Sequence, residues 1–278
     1  MVPEVNTEMF KVTLSAHNCV AAVKKRILNI FLNVFYVCAR KIDIDSATGP
    51  CLVIAPHPDD ETLGCGAVIQ RARNAGRLVH VVIVTDGSVS SHSGILPPQE
   101  LAALRREEAR NACGILGVEA GNIVFLPFAD GKADLHIDGI ASALLQRIKA
   151  IAPRQIFSPY GVDKGSDHRA VAAALERLAK SDSLFCPVYE YPIWFGPKDF
   201  LQHLLQPRHL SRLRRVSTRG CLKRKKMAMA AYRSQCENLT GEAGWWTLEQ
   251  KFLARFFMPY ELFFEKLLPQ RQLKPART

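Results

Sequence analysis

Short runs rich in β-branched and aromatic residues alternate with longer helical stretches from residue 51 onward, and this alternation restricts the fold more than any other feature. The pattern predicts strands at 52–55, 79–85, 123–127, 155–159 and 185–191. It predicts helices near 64–75, 98–117, 138–151 and 168–180. Because strands that alternate with helices are joined by right-handed crossovers, we expect an α/β fold with a mostly parallel sheet and helices on both faces.

The predicted domain organisation has four parts. The chain has 278 residues, of which 48% are hydrophobic, so it can bury a sizeable core. We predict a helical N-terminal segment (1–49), an α/β domain (50–200), a basic, aromatic-rich helical extension packed on that domain (201–268) and a loose tail (269–278).

The chain is basic. Lys and Arg number 37 against 26 Asp and Glu, which gives a formal net charge of +11. This charge favours acidic partners such as phosphorylated glycans, anionic lipid surfaces or nucleic acid, but it does not choose among them. The eight cysteines form no Cys-x-x-Cys pair, and several lie in apolar runs, which indicates a reducing compartment without a disulfide framework.

The sequence shows no signal peptide pattern, and its nearest approach to a membrane segment is Ile27–Ala39. These thirteen residues fall short of the roughly 20 that a spanning helix needs. We therefore predict a cytoplasmic protein in which this segment is a helix docked on the domain. Because Lys and Arg flank the segment on both sides, an amphipathic helix lying on an anionic membrane is the alternative.

A histidine and three acidic residues follow the first predicted strand directly, in the sequence APHPDDE (55–61). Clustered carboxylates repel one another and are costly to desolvate, so they need full solvation or a compensating cation. His57 and Asp60 offer the nitrogen and oxygen donors that zinc accepts, and Asp59 between them can hold and deprotonate the metal's water. The alternative is an N-terminal cap, in which Asp59 or Asp60 caps the helix that begins near Glu61.

A second histidine is predicted at the same edge of the sheet. In a parallel sheet with strand order 3-2-1-4-5, the first and fourth strands are neighbours, and ligands bind beyond their carboxyl ends. His168 follows the fourth strand at the start of a helix. We predict that His57, Asp60 and His168 form a three-ligand metal site with a fourth position for water. Asp167 is expected to orient a ligand histidine or to contact substrate.

Five motifs in the chain together resemble those of the PIG-L/LmbE-like family of zinc-dependent deacetylases. They are PHPDDETLGCG (56–66), TDG (85–87), LRREEARNACGILG (104–117), DHRAV (167–171) and KKMAMAAYRSQ (225–235). The resemblance spans about residues 50–236 and implies a Rossmann-like sheet, one zinc ion or another divalent metal, and hydrolysis of an N-acetyl group from an N-acetylglucosamine-containing substrate. It implies that His57, Asp60 and His168 are the zinc ligands and that Asp59 is the general base.

The chain departs from this family at one position. Many members carry a second histidine three residues before the last ligand, where it stabilises the oxyanion, and here that residue is Gly165. Lys164 and His92 are the candidate substitutes, since one is adjacent and the other lies in the polar loop 88–98. If the oxyanion lacks a donor, Gly165→His is expected to speed the reaction.

Other residues carry weaker expectations. Asp86 ends the second strand, where we expect it to order the crevice or to bind a sugar hydroxyl. Arg105 and Glu108 share one helix face and are expected to form a structural salt bridge, with contact of Arg105 to the substrate or to the residues beside the metal as the alternative. Trp194 and Phe195 are expected to pack in the core, with stacking on a sugar as the alternative. A helical stripe of Arg208, Arg212, Arg215 and Arg219 suits phosphate binding, or is simply solvated surface.

Three functional hypotheses follow. The favoured one is a zinc-dependent hydrolase that removes an N-acetyl group from an N-acetylglucosamine-type sugar in glycan or glycolipid synthesis. The second is a metal-dependent esterase or amidase for an O-acetyl or non-sugar substrate. The third is a non-catalytic polyanion-binding protein. The expected partner is an amino sugar, free or linked to phosphate or lipid, with peripheral contact to an anionic membrane as an option; nucleic acid is not the expected partner.

Overall fold

The computed structural model describes residues 38–89, 96–196, 199, 202–203 and 206–268. Its internal contacts divide the chain into two units, residues 1–39 and 40–278. His92, the tail 269–278 and all but the last two residues of the predicted helix at 27–39 lie outside the described residues. The predicted domain limits at residues 49 and 200 stay predictions. In the described part of the chain, no helix has the length and apolarity that crossing a membrane requires.

One sheet of eight strands forms the centre of the described structure. The strands are β1 (Arg40–Lys41), β2 (Cys51–Ala55), β3 (Val79–Thr85), β4 (Ile123–Phe128), β5 (Gln155–Pro159), β6 (Val188–Tyr191), β7 (Leu213–Ser217) and β8 (Tyr260–Glu265). Strands β2 to β6 are parallel and lie in the order β4-β3-β2-β5-β6. The first and fourth predicted strands, β2 and β5, are therefore neighbours, and the predicted order is confirmed.

Long helices connect these parallel strands: α1 (Asp60–Asn74), α2 (Pro98–Leu116), α3 (Ile137–Ile151) and α4 (Ser166–Lys180). Short helices follow later in the chain: α5 (Pro207–Leu210), α6 (Leu222–Ala230), α7 (Arg233–Cys236) and α8 (Gln250–Leu253). Helix α2 begins with a proline and ends at Gly117, whose φ of 96° is left-handed, as the sequence predicted.

Two apolar clusters cover the two faces of the sheet. Along β2, Cys51, Val53 and Ala55 belong to one cluster. Leu52 and Ile54 belong to the other, because successive side chains of a strand point to opposite faces. Helices α1 and α2 pack on the first face and α3 and α4 on the second. The prediction of an α/β fold with helices on both faces is confirmed.

The prediction of a helical C-terminal extension is wrong in part, because two strands lie among the short helices α5 to α8. Residues 213–217 and 260–265 form strands β7 and β8, which extend the sheet beyond β6. Strand β8 is antiparallel to both β6 and β7, and β1 pairs with β7 at the edge. The expected helical arginine stripe is absent as well, since Arg208 lies in the short α5 and Arg215 in β7. Burial against the sheet overrides the helix-like spacing of the basic residues.

Two charged side chains from the C-terminal part enter the middle of α1. The Lys225 ammonium donates to the carbonyl oxygen of Leu63 at 2.7 Å and to the Glu261 carboxylate at 2.6 Å. The amides of Ala67 and Val68 donate to the same carboxylate at 2.7 and 3.1 Å. Both charged side chains are buried. The helix that begins at Asp60 is thus held in place by α6 and β8.

Candidate metal centre

The predicted metal ligands meet at the carboxyl edge of the sheet. His57 follows β2, Asp60 is the first residue of α1, and His168 lies in the first turn of α4 after β5. One Asp60 oxygen, Oδ2, lies 3.2 Å from His57 Nδ1 and 3.2 Å from His168 Nε2. The rings of His57 and His168 have their centroids 5.3 Å apart. Ligand-type atoms of all three residues lie within 4.8 Å of one another.

The donor atoms suit a bound cation. His168 is fully buried, and neither of its ring nitrogens has a hydrogen bond to any described residue, although carboxylate oxygens lie nearby. Burial disfavours the charged imidazolium, but Asp60 and Asp163 outweigh this and raise the pKa of His168 to about 9. Burial also disfavours ionised Asp60, yet the two histidines lower its pKa well below the ordinary range. A divalent ion can replace the proton that this cluster otherwise holds.

Asp167 and Asp130 face the other ring nitrogen of His57. The Nε2 atom of His57 lies 3.2 Å from Asp167 Oδ2 and 3.2 Å from Asp130 Oδ1. Asp167 is itself fixed by the amides of Gly131 and Ala133, which donate to its carboxylate at 2.7 and 3.2 Å. A carboxylate in this position selects the tautomer of a ligand histidine and makes it more basic. Asp167 therefore has the orienting contact that the sequence predicted, and it makes that contact with His57.

Asp163 lies beside His168, and the sequence patterns did not predict it as a site residue. Its carboxylate oxygen Oδ2 lies 3.4 Å from His168 Nδ1, and its side chain is fully buried. The same carboxylate accepts hydrogen bonds from the amides of Ile193 and Trp194 at 2.8 and 2.9 Å. Asp163 and Asp130 each follow a strand at the carboxyl edge of the sheet, as Asp86 does. This position in the sequence is the feature by which both could be predicted as site residues.

Asp59 occupies a strained backbone position beside the metal cluster. Its φ of 122° lies in the region that non-glycine residues rarely adopt. Its amide donates to Glu61 Oε2 at 3.1 Å, and Tyr232 donates to Glu61 Oε1 at 2.6 Å. Burial raises the pKa of Asp59 to about 8, against the opposing effect of Arg105. The alternative role as a side-chain cap is not observed, since the Asp59 side chain makes no capping hydrogen bond in the described structure.

Arg105 holds Asp59, and the expected pair of Arg105 with Glu108 is wrong. Arg105 Nη2 lies 3.2 Å from Asp59 Oδ2 and 2.5 Å from the carbonyl oxygen of Pro58, and the side chain is buried. Glu108 instead accepts hydrogen bonds from the amide and hydroxyl of Ser234 at 2.7 and 2.6 Å. Residues one helical turn apart lie on the same side of a helix, but here the Arg105 and Glu108 side chains each bind a partner from another segment instead of one another.

The remaining predicted site residues lie at the margins. Asp86 accepts hydrogen bonds from the amides of Ser88 and Asp130 at 3.0 and 3.1 Å, so it orders the loops at the crevice. Lys164 is exposed, and its ammonium lies 2.5 Å from Asp199. It does not line the cavity beside the metal cluster. His92 lies outside the described residues.

Gly165 has little space for a side chain. A Cβ atom placed there would lie 2.9 Å from His168 Cδ2 and 3.3 Å from Trp194 Cδ1. Because the His168 ring is buried, it has little freedom to move away. This crowding argues against the expectation that a histidine at this position speeds the reaction.

A cavity of about 320 Å³ opens beside the cluster. Its lining includes the ionisable side chains of His57, Asp59, Asp60, Arg105 and Asp130. It also includes apolar residues, namely Leu63, Val89, Ile193, Trp194, Trp246 and Leu248. Trp194 stacks on Phe252, whereas Phe195 is buried, so of the two predicted aromatics only Trp194 reaches the cavity. A pocket with an apolar wall and convergent charged groups is the usual form of a small-molecule site.

Residues 52–179 match the PIG-L family, described as GlcNAc-PI de-N-acetylase. The matched stretch runs from β2 to α4 and includes His57, Asp59, Asp60 and His168. We refer to residues 52–179, which match this family, as the PIG-L domain. The PIG-L domain also contains Arg105, Asp130 and Asp163, whereas Ile193, Trp194, Trp246 and Leu248 of the cavity lining come after it in the chain.

Curated proteins similar to the PIG-L domain include deacetylases. The uncharacterized deacetylase YaiS of Escherichia coli K12 is 36% identical over 128 residues, which are 44% of this chain and 64% of that relative. The diacetylchitobiose deacetylase of Thermococcus kodakarensis is 39% identical over 79 residues, which are 28% of this chain and 29% of that relative. The chain thus spans less than two thirds of the length of either relative.

A solved structure with a similar fold is that of N,N'-diacetylchitobiose deacetylase from Pyrococcus horikoshii, complexed with its inhibitor MPG. The TM-score is 0.61 with 20% identity, and the similarity covers 95% of this chain and 94% of that one. The likeness therefore concerns the fold of nearly the whole chain.

Proposed function

We propose that this protein is a metal-dependent deacetylase that hydrolyses the N-acetyl group of an amino sugar of the N-acetylglucosamine type, with zinc as the metal. One observation carries the proposal: His57, Asp60 and His168 converge around a common point, and Asp59 lines a cavity beside them. The family match and the names of the relatives support the reaction and the sugar class.

His57, Asp60 and His168 would hold the metal. A bound zinc ion supplies a Lewis acid for the acetyl carbonyl and for the attacking water. Asp59 accepts the proton of that water and returns it to the departing amine, so that an acetate and a free amino sugar are formed. Arg105 keeps the Asp59 carboxylate aimed at the cavity, since it lies 3.2 Å from its Oδ2 atom. Asp167 and Asp163 hold the two histidine rings in place.

A related hydrolase for O-acetyl or non-sugar substrates is the second candidate. Gly165 favours it, because the histidine of the family pattern is absent and Lys164 pairs with Asp199 outside the cavity. In our proposal an N-acetyl sugar is the better substrate when N-acetyl and O-acetyl sugars are compared side by side.

Partners and location are also part of the proposal. We propose a cytoplasmic protein whose substrate belongs to the synthesis of a glycan or glycolipid, in a form linked to phosphate or lipid. The basic residues of β1 and β7 support an acidic partner: Arg40 pairs with Arg214 and Lys41 with Arg215 in the strand register. We also propose peripheral contact with an anionic membrane, which an experiment on binding to lipid vesicles tests.

Asp59→Asn tests the proposed reaction. Because the amide cannot accept the proton, we expect acetate release from N-acetylglucosaminyl substrates to fall about 100- to 10,000-fold while zinc content is unchanged. The native protein should lose activity with EDTA and regain it with zinc. Asp134→Asn, at an exposed aspartate outside the cavity, is the matched control. If Asp59→Asn kept more than about a tenth of the native rate, Asp59 would not be the base.

A further inference from the structure

The backbone of Asp59 has a conformation that an aspartate rarely adopts by itself. Its φ of 122° lies in the region that favours glycine, and a residue with a Cβ atom is strained there. Its carbonyl oxygen accepts hydrogen bonds from the amides of Thr62 and Leu63 at 3.0 and 2.9 Å, which begin helix α1. Backbone strain persists only where surrounding contacts enforce it, so the contacts of the Asp59 amide bear on where its side chain points.

The Asp59 amide donates to a buried carboxylate two residues ahead. Its nitrogen lies 3.1 Å from Glu61 Oε2. The other carboxylate oxygen, Oε1, accepts the hydroxyl of Thr62 at 2.5 Å and that of Tyr232 at 2.6 Å. The Glu61, Thr62 and Tyr232 side chains are fully buried. At least three donors thus meet this carboxylate, and an ionised carboxylate satisfies them all because it only accepts.

Tyr232 connects this carboxylate to the C-terminal part of the chain. It follows Glu61 by 171 positions, lies between α6 and α7, and belongs to the apolar cluster on the α1 face of the sheet. Burial and the nearby Glu61 raise the pKa of its hydroxyl well above the ordinary range, so the hydroxyl keeps its proton and donates it. Tyr232 therefore fixes the direction of the Glu61 side chain. It lies in the motif KKMAMAAYRSQ (225–235), to which the proposed mechanism gives no role.

Arg105 and Glu61 hold different parts of Asp59. Arg105 Nη2 lies 3.2 Å from the carboxylate oxygen Oδ2 and fixes the side chain, whereas Glu61 binds the amide and fixes the backbone. If the backbone relaxed to an unstrained φ, the Cα–Cβ bond of Asp59 would turn with it and move the carboxylate. A general base must lie within hydrogen-bond reach of the proton that it takes, and a misplacement of about 1 Å is costly.

We propose that Glu61 and Tyr232 are positioning residues for the reaction. The Tyr232 hydroxyl holds the Glu61 carboxylate, and this carboxylate holds the Asp59 backbone in the strained conformation that directs the Asp59 side chain to the cavity. The kinetic part of this inference rests on the proposed deacetylase function. Because Tyr232 lies outside residues 52–179, the inference also gives the C-terminal part a role in the reaction.

The first test measures the strain in the full-length chain without any activity. Asp59→Gly and Asp59→Ala both remove the carboxylate, but only glycine adopts a φ of 122° freely. The difference between their melting temperatures contains this strain and the greater freedom of glycine in the unfolded chain, and only the strain depends on Tyr232. We expect the difference, glycine minus alanine, to fall by at least about 2 °C when Tyr232→Phe is added. An unchanged difference overturns the inference.

The second test separates turnover from binding, on whichever of N-acetylglucosamine and N,N'-diacetylchitobiose the native chain hydrolyses. We expect Tyr232→Phe to lower kcat about tenfold, with KM and zinc content changed less than about twofold. Glu61→Met should lower kcat further. Glu61→Gln should retain most of it, because the amide oxygen still accepts from Asp59 and the two hydroxyls can accept from its NH₂ group. A change in KM instead of kcat, loss of zinc, or equal losses in the two Glu61 variants overturns the inference.

Tyr191→Phe is the matched control. Tyr191 is buried, with 1% exposure, and its hydroxyl donates to the carbonyl oxygen of Ile54 at 2.7 Å. In the described structure this hydroxyl has no hydrogen bond to Glu61 or Asp59, so its removal should lower stability and leave kcat within about twofold. Equal losses of kcat in the two tyrosine variants overturn the inference. The proposed function fails separately, if the native chain with zinc releases no acetate while the coupling of melting temperatures between positions 59 and 232 persists.

Discussion

At the scale of single residues, Gly165 shows how a missing side chain becomes a packing requirement. The family pattern has a histidine here, and from the sequence its restoration is expected to help only if the oxyanion lacks a donor. The structure fills the space with the His168 ring, 2.9 Å from where a Cβ would lie, and with Trp194. The lack of a side chain at position 165 thus leaves the space that the ring of His168, a candidate metal ligand, occupies.

Gly165→Ala is therefore expected to be harmful. Overpacking should lower the free energy of unfolding by about 1–3 kcal/mol, and the displaced His168 ring should weaken zinc binding. Gly165→His should do so more strongly. Urea unfolding and competition with a chelator measure the two effects. Gly114→Ala is the control, because a Cβ there meets no atom within 4 Å. Tight zinc binding and a faster rate in Gly165→His would show that His168 can shift.

At the scale of elements, α1 depends on strands and helices that come far later in the chain. The first turn of α1 carries Asp60 and follows Asp59, and its middle is held by Lys225 of α6 and Glu261 of β8. Gly66 makes room for this contact, since a Cβ there would lie 2.8 Å from the Lys225 side chain. The charged pair thus binds both amide and carbonyl groups in the middle of α1.

Lys225→Met is expected to lower the free energy of unfolding by about 3–5 kcal/mol, because it leaves the Glu261 carboxylate buried without its partner. The double variant Lys225→Met/Glu261→Gln should recover part of this loss. Urea unfolding measures both. Lys226→Met is the matched control, one residue further on, where the exposed ammonium lies 5.6 Å from the Phe257 ring centroid. Its cost should stay below about 1 kcal/mol. Equal losses at 225 and 226 would contradict a role for the buried pair.

The C-terminal strands show why element prediction failed where it did. Basic residues at 208, 212, 215 and 219 recur at helical spacing, and this pattern of charge obscures the apolar residues between them. In β7, Leu213 and Val216 are buried, and in β8, Phe263 and Phe264 are. Pairing between β7 and β8 joins residues about fifty positions apart, which no local period can reveal.

At the scale of the whole molecule, positive charge is concentrated in part on one edge of the sheet. Strand β1 places Arg40 and Lys41 beside Arg214 and Arg215 of β7. Further along the chain, Arg219, Lys223 and Arg224 are exposed. With a net charge of +11, this arrangement supports binding to an anionic surface.

We expect the protein to sediment with vesicles of phosphatidylcholine and phosphatidylserine at low salt, and to be released as salt rises. Reversal of Arg219, Lys223 and Arg224 to Glu should reduce binding at least about tenfold more than a control with the same charge change. The control reverses the exposed Arg147, Lys149 and Lys180 on α3 and α4. Equal effects would mean that total charge alone governs binding, and retention on pure phosphatidylcholine would contradict an electrostatic origin.

The strand–helix alternation and the position of the candidate site were predictable because both depend on local patterns. The period of the hydrophobic residues identifies the strands and helices. The rule that ligands bind at the carboxyl edge of a parallel sheet predicts that His57 and His168 lie close together, although 111 positions separate them in the chain. Other features required the tertiary structure: the contact of Asp163 with His168, that of Arg105 with Asp59, the strands β7 and β8, and the contact of Tyr232 with Glu61. Each of these depends on competition among side chains from distant segments for one buried space, and a sequence pattern does not encode which partner wins.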